Sequence, residues 1–269
     1  MAGRAAIVLA LGTPVLAGLI FLAVGGAPLA YPVGNALALL LALPVAALVR
    51  IRLTGSRQRM LAVLLLAMLF VPLVSGPHLN GIARWLPLGP VTLHAGALVV
   101  PALVVLAARD ADYAPPILLA ALLAASLQPD AATGLAVMMA AIGLYNASGD
   151  WRMVPVAGIA FLASISAGLR GELPAQPFVE RVLVDLALHQ PFAALGLGAA
   201  LLASFLLIAH ALPAEKPVRH ALAGSLFGFS LAALVSNYPS VLIGYGAAPI
   251  LGYGLALALA RKAPQTPSG

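Results

Sequence analysis

The sequence predicts an all-α protein, a polytopic membrane helix bundle of about ten transmembrane helices, and three observations carry that expectation. Apolar residues fill 62% of the 269 positions and charged residues only 8%, where a soluble domain carries about 25% charged residues. The mean hydropathy is +1.06. The apolar residues also gather in runs near the length a helix needs to cross a hydrocarbon core, roughly 17–25 residues.

Taken in order, the runs cover 5–24, 33–50, 60–76, 92–109, 115–128, 131–147, 152–168, 188–211, 218–238 and 241–261. The first follows Arg4 and ends in small residues, as a signal peptide does, but it is long for such a segment, so a retained first helix is expected. Pro44, Pro155 and Pro249 fall inside runs; neighbouring helices can satisfy the backbone groups they free. The stretch "GLAVMMAAIG" in the sixth run reads as a small-residue packing face. Residues 1–262 are expected to form a single integral membrane domain, with 263–269 a short disordered tail.

The basic residues set an orientation. With the N-terminus inside, one side holds Arg4, Arg50, Arg52, Arg57, Arg59, Arg109, Arg152, Lys216, Arg219, Arg261 and Lys262, and the other only Arg84, Arg170 and Arg181. Positive charge favours the cytoplasmic side, so both termini are expected there. The net charge of +6 then reflects topology, and no nucleic-acid partner is implied. The chain has no cysteine, which excludes disulfides and thiolate chemistry.

Ionisable residues are costly inside hydrocarbon, and the runs are nearly free of them. Polar residues gather instead at the outer helix ends: Asn80, Arg84 and Trp85; Gln128 and Asp130; Glu180, Arg181, Asp185 and His189; Asn237 and Tyr238. Such a layout suits an amphiphile with its head group outside and its tail in lipid. Trp85 also fits an interface anchor, and Arg84 a lipid-phosphate contact. Asp130, in "AASLQPDAATGLAVMM", has two readings: a cap on the sixth helix, or a functional carboxylate. The five histidines, at 78, 94, 189, 210 and 220, show no metal-ligand spacing, and no HExxH occurs.

The order of these clusters resembles the SEDS family of shape, elongation, division and sporulation proteins. "GPHLNGIARWLPLGPVTLHAGALVVPALVVLAAR" (76–109) is similar to that family's "NGARRWLxLGP…QPSE…K" segment, and "LQPDAATGLAVMMAAIGLY" (127–145) to its "LQPDLGTA" turn. "HQPFAALGLGAALLASFLLIAHAL" (189–212) resembles its "TDFIFAVIGEELG…GALLLL" span, and "LIGYGAAPILGYGLALALAR" (242–261) its closing "ISYGGSSLL…LGLLL" helix. The likeness covers roughly residues 60–262, and its first two motifs are the more specific.

The resemblance implies a bacterial inner-membrane protein that handles lipid II, normally beside a class B penicillin-binding protein or another single-span membrane protein. It implies peptidoglycan glycosyltransferase activity, with a scaffold or flippase as the alternatives. Departures weaken the enzymatic part. "HAGALVVP" stands where the family has a buried Glu and Lys, and the family's long outer loop is cut to "GLRGELPAQPFVERVLVDLALHQP". Within it "RVLVD" resembles the family's "RIxxFLD", which would make Asp185 the surviving acid.

Glycosyl transfer needs a group to take up a proton and cations to hold the leaving pyrophosphate. The candidate catalytic residues are Asp130 and Asp185. Asn80, Arg84, Trp85, Gln128, Arg181, His189, Asn237 and Tyr245 are the candidate substrate-binding residues. No cofactor is expected, beyond a divalent cation at the outer acidic residues. Arg84, Asp130 and Asp185 are expected to meet in one outer cleft.

Overall fold

A computed structural model describes residues 2–49, 51, 53–89, 91–171 and 173–261. The expected tail, 263–269, lies outside the described residues, as do Arg50, Arg52 and Lys262. The helices in chain order are α1 (Ala2–Val24), α2 (Ala30–Leu48), α3 (Gly55–Phe70) with its continuation α4 (Pro72–Ser75), α5 (Ala95–Arg109), α6 (Ala114–Leu127), α7 (Ala131–Ser148), α8 (Met153–Leu169), α9 (Val182–His189), α10 (Pro191–Leu206) with a π-helical end at Leu207–Ala211, α11 (Lys216–Val235) and α12 (Ala247–Ala260). Among the described residues, α1, α2, α3–α4, α7, α10 with its π turn, and α11 are long and apolar enough to cross a membrane. The helices α5, α6, α8 and α12 are shorter apolar ones. The architecture is thus the polytopic helical bundle that composition predicts.

Three local features depart from the expected runs. The stretch before α5 folds as a small antiparallel hairpin, β1 (Trp85–Leu88) with β2 (Val91–His94), in register Trp85 to His94 and Leu88 to Val91. The eighth run breaks at Gln190, where Pro191 starts α10 and leaves α9 as a separate short helix. The tenth run does not become helical until Ala247. Its first residues are a turn held from outside: Asn35 of α2, fully buried, donates through Nδ2 to Gly244 O at 2.9 Å and accepts the Gly246 N–H at 3.0 Å. Tyr31 and Tyr245 stack beside it with ring centroids 3.9 Å apart.

Helix α5 runs through the middle of the bundle, with nearly every side chain from Ala95 to Ala107 buried. It packs on α12 where a Cβ on Gly252 would collide with the backbone carbonyls of Ala97 and Leu98. Helices α7 and α11 meet still more intimately. A side chain on Gly143 would strike His220 O, one on Gly224 would strike Met139 O, and one on Gly228 would strike Leu135 O. The small residues expected in the sixth run therefore let two backbones approach, the usual basis of helix association in lipid.

One end of the bundle gathers the hairpin, the α6–α7 turn and the two loops around 173–181 and 236–246. The loops are laced together: Ser240 N donates to Val179 O at 2.8 Å, Tyr245 N to Phe178 O at 2.8 Å, and Val182 N to Ser240 Oγ at 3.0 Å. The opposite end carries the basic residues. There Arg59 pairs with Asp110 and Arg152 with Asp150, each at 2.8 Å, and Arg261 Nη1 donates to Ala47 O at 2.7 Å.

Candidate functional site

Asp130 lies at the mouth of α7, only 1% exposed. Its Oδ1 accepts the Thr133 N–H at 3.1 Å and its Oδ2 the Thr133 hydroxyl at 2.6 Å. The capping reading is therefore correct: Asp at this position satisfies a free N–H of the first turn and faces the positive helix end. The turn that presents it is not extended before Pro129, as proline would favour, because Gln128 (φ −93°, ψ 9°) continues the end of α6. Gln128, 2% exposed, donates its side-chain amide to Leu69 O and so pins α6 to α3.

A second helix start meets the first. His94 caps α5, its Nδ1 accepting the Ala97 N–H at 3.0 Å. That bond leaves the ring proton on Nε2, which stands 3.3 Å from Asp130 Oδ2 without the alignment of a hydrogen bond. Burial pulls the His94 pKa down, Asp130 pushes it up less strongly, and Arg84 lowers it again. Gly96 is the residue that lets the two helix starts touch. A Cβ there would collide with Thr133 Oγ1 and lie 3.1 Å from Asp130 Oδ2.

Arg84 completes the cluster. It immediately precedes β1, is 3% exposed, and its guanidinium sits 4.7 Å from the Tyr238 ring centroid and 4.9 Å from that of Trp85. Contacts of this kind stabilise a desolvated cation by about 0.5–2 kcal/mol. Arg84 Nε is buried with no hydrogen-bond partner, and among the described residues the guanidinium forms no ion pair. Tyr238 joins everything: its hydroxyl accepts the Ala131 N–H at 2.9 Å, at the start of α7. Burial, then Asp130, hold the phenol above its ordinary pKa, so it stays neutral.

The remaining candidates fall around this centre. Trp85 is half-buried on β1 beside Arg84. Asn237 donates to Leu173 O at 3.1 Å and ties the two loops, and Tyr245 stacks on Tyr31. Asn80 is exposed at the tip of a tight turn, with φ 51° followed by Gly81 at φ 78°, closed by the Leu79–Ile82 bridge. Asn-Gly is the sequence such turns require. Arg181, at φ 53°, precedes α9. Asp185 and His189 are exposed on α9, where the His189 ring meets Asp185 O at 2.9 Å. Of the three residues expected in one cleft, Arg84 and Asp130 share the cluster, and Asp185 makes no side-chain hydrogen bond or ion pair with it among the described residues. Also among the described residues, no three His, Asp or Glu side chains gather to hold a metal.

Two residues matter more than the sequence suggests. His94 reads as one of five scattered histidines inside the fourth apolar run, and only the structure shows it as the cap of α5. Glu180 belongs to the outer polar residues without standing out. In the fold its Oε2 accepts the Gln176 N–H at 2.7 Å, and it bridges to Pro239, next to Tyr238. Beside the cluster, an apolar groove of ≈ 320 Å³ opens between α7, α8 and α11, with Ala131, Leu135, Phe161, Ile165, Val235 and Tyr238 among its walls.

These features define a polytopic membrane bundle with a buried cationic and acidic cluster at one end, beside an apolar groove. Its fold is that of known structures. An Asp-to-Ala variant of the rod shape determining protein RodA of Thermus thermophilus superposes with a TM-score of 0.67 at 24% identity, over 94% of this chain and 95% of that one. The unaltered RodA gives 0.65 at 24% identity, covering 94% of both chains. A chain from a peptidoglycan synthase complex, in which polymerization and crosslinking are coordinated, gives 0.60 at 22% identity, over 94% and 96%. No family model matches the chain, and no curated protein matches it. At such identities the likeness is one of fold, the same fold the motif order implies.

Proposed function

We propose that the chain is a divergent, shortened SEDS-like protein of a bacterial inner membrane, with both termini cytoplasmic. It binds a lipid-linked saccharide of the lipid II type at the Arg84 end and transfers glycan there as a peptidoglycan glycosyltransferase. The observation that carries this reading is Arg84: a guanidinium buried against two aromatic rings, with no ion pair among the described residues, beside a groove sized for an apolar chain. A buried cation without a direct ion pair is costly, and a phosphate would supply that contact through the planar, multidentate donors of Arg. The groove would take the lipid chain, with Tyr238 forming part of both surroundings. A class B penicillin-binding protein or another single-span protein is the partner the motif resemblance supplies.

One observation favours a second reading, a non-catalytic scaffold that holds a partner enzyme. Both oxygens of Asp130 are engaged within the fold as the cap of α7, which gives this buried carboxylate a structural role.

Lipid II binding and turnover by the purified chain, alone and with candidate partners, separate the two readings. Arg84→Gln should weaken binding at least tenfold, since a hydrogen bond to a charged group contributes about 1.5–3 kcal/mol. Unchanged binding in a folded Arg84→Gln protein would defeat the phosphate role. Binding without turnover would select the scaffold.

A further inference from the structure

We infer that Glu180, rather than Asp130 or Asp185, is the carboxylate that accepts the proton in glycosyl transfer. The inference rests on the glycosyltransferase reading above and names a catalytic residue for it. Of the described acidic residues, Asp110, Asp112, Asp150 and Glu215 belong to the basic end, three of them beside Arg59, Arg152 and their neighbours. Three remain at the Arg84 end. Asp130 is buried, with both oxygens committed to Thr133 and its open side facing a histidine that has no free lone pair. His94 itself cannot serve, because its Nδ1 already accepts a backbone N–H and its Nε2 carries the proton. Asp185 is exposed on α9, and among the described residues it makes no hydrogen bond or ion pair through its side chain to the Arg84 cluster.

Glu180 has the required properties together. It is half-buried on a loop that is pinned, through its bridge to Pro239 and the Ser240–Val179 bond, to the segment carrying Tyr238. Its Oε2 is held by Gln176 N–H, while Oε1 has no hydrogen bond among the described residues. Burial pushes its pKa above the ordinary carboxylate value, and the Gln176 bond and then Arg84 pull it back. A base with a raised pKa that still ionises is well suited to take a hydroxyl proton near neutral pH. In the step, an acceptor sugar hydroxyl oxygen bonds to the anomeric carbon of the donor. The bond from that carbon to the phosphate oxygen breaks, and the lipid pyrophosphate leaves with the electron pair, beside Arg84. The hydroxyl proton passes to Glu180 Oε1.

The test uses the full chain, with its partner protein if turnover requires one, and lipid II as substrate. Glu180→Gln keeps an acceptor for the Gln176 N–H, so the loop stays in place. Turnover should fall about 100-fold or more, the low end of general-base effects, with lipid II binding retained. Glu180→Asp should recover part of the rate, and the acid limb of the wild-type rate profile should vanish in Glu180→Gln. Turnover of Glu180→Gln within a few-fold of wild type, or a loss found in Asp185→Asn instead, would overturn the inference while leaving the glycosyltransferase reading intact. Absence of turnover in the wild-type chain with every partner tried would remove that reading and this inference with it.

Discussion

His94 Nε2 faces Asp130 Oδ2 across 3.3 Å, each residue capping a different helix, α5 and α7. The histidine cannot take a second proton without surrendering the Ala97 N–H bond that caps α5. Its folded pKa lies below the ordinary value of 6.5, chiefly through burial. Below that value the unfolded chain binds a proton that the folded chain refuses, so stability falls as pH drops from about 6.5 toward the folded pKa. Thermal melts in detergent should show this loss for the wild type. His94→Asn keeps a capping oxygen and should flatten the profile below about pH 6.5; an unchanged slope would mean that another group titrates.

Asp130→Asn retains a cap but replaces one carboxylate oxygen with an NH₂ group. With Oδ1 kept as the cap, the NH₂ faces the His94 Nε2–H, donor against donor, while the Thr133 hydroxyl can turn to accept from it. The variant should fold and melt with a loss of about 1–3 kcal/mol, the cost of leaving a buried group unsatisfied. Asp130→Ala, which also removes the cap, should lose more. Equal stability of the two variants would show that only the cap contributes.

Gly96→Ala should be poorly tolerated, because the added methyl meets Thr133 and Asp130 where two helix starts touch. Overpacking of this kind costs about 1–3 kcal/mol. Gly12→Ala, with open space at its Cβ position, is the matched control and should be neutral or stabilising. Combining Gly96→Ala with Thr133→Ala should recover part of the loss, read as a melting temperature above that of Gly96→Ala alone.

Asn35→Ala strands two backbone groups, Gly244 O and Gly246 N–H. About 2 kcal/mol or more of local stability should disappear, and amide exchange should accelerate across 236–246. Exchange confined to α2 would show that the turn is held by the Tyr31–Tyr245 stack instead.

The chain has no cysteine, so single cysteines at Gly55 and Pro174 report sidedness directly. Both positions are exposed, one beside the basic end and one in the loop near Glu180. A membrane-impermeant thiol reagent should label them from opposite faces. Labelling from the same face would overturn the span count.

Much of the scaffold was legible because unbroken apolar runs need no partner to declare themselves. The Asp130 cap was also legible, as an Asp followed three residues later by Thr ahead of an apolar run. What stayed hidden were relationships across long separations in sequence. Asn35 reaches Gly244 over 209 residues and Ala131 reaches Tyr238 over 107, and nothing local in "PVGNALALL" or "SNYPS" announces either. The turn at Asn80 and Gly81, by contrast, is stated locally by the Asn-Gly pair. Glu180 and His94 acquire their meaning only from what folds against them.

Helix α6 has 14 residues, roughly 21 Å at about 1.5 Å per residue, while a hydrocarbon core measures about 30 Å. Its outer surface is nonetheless greasy to the last turn, with Leu119, Leu123 and Leu127 all exposed. A bilayer meeting so short a surface has to become thinner there, because tilting the helix would shorten its span further. The thinning falls on the helix that ends at Gln128 and Asp130, so lipid head groups beside α6 sink toward the level of the buried cluster. On the phosphate role proposed for Arg84, this shortens the distance a membrane-anchored head group must travel to it, through the shape of the surrounding lipid and without any moving part.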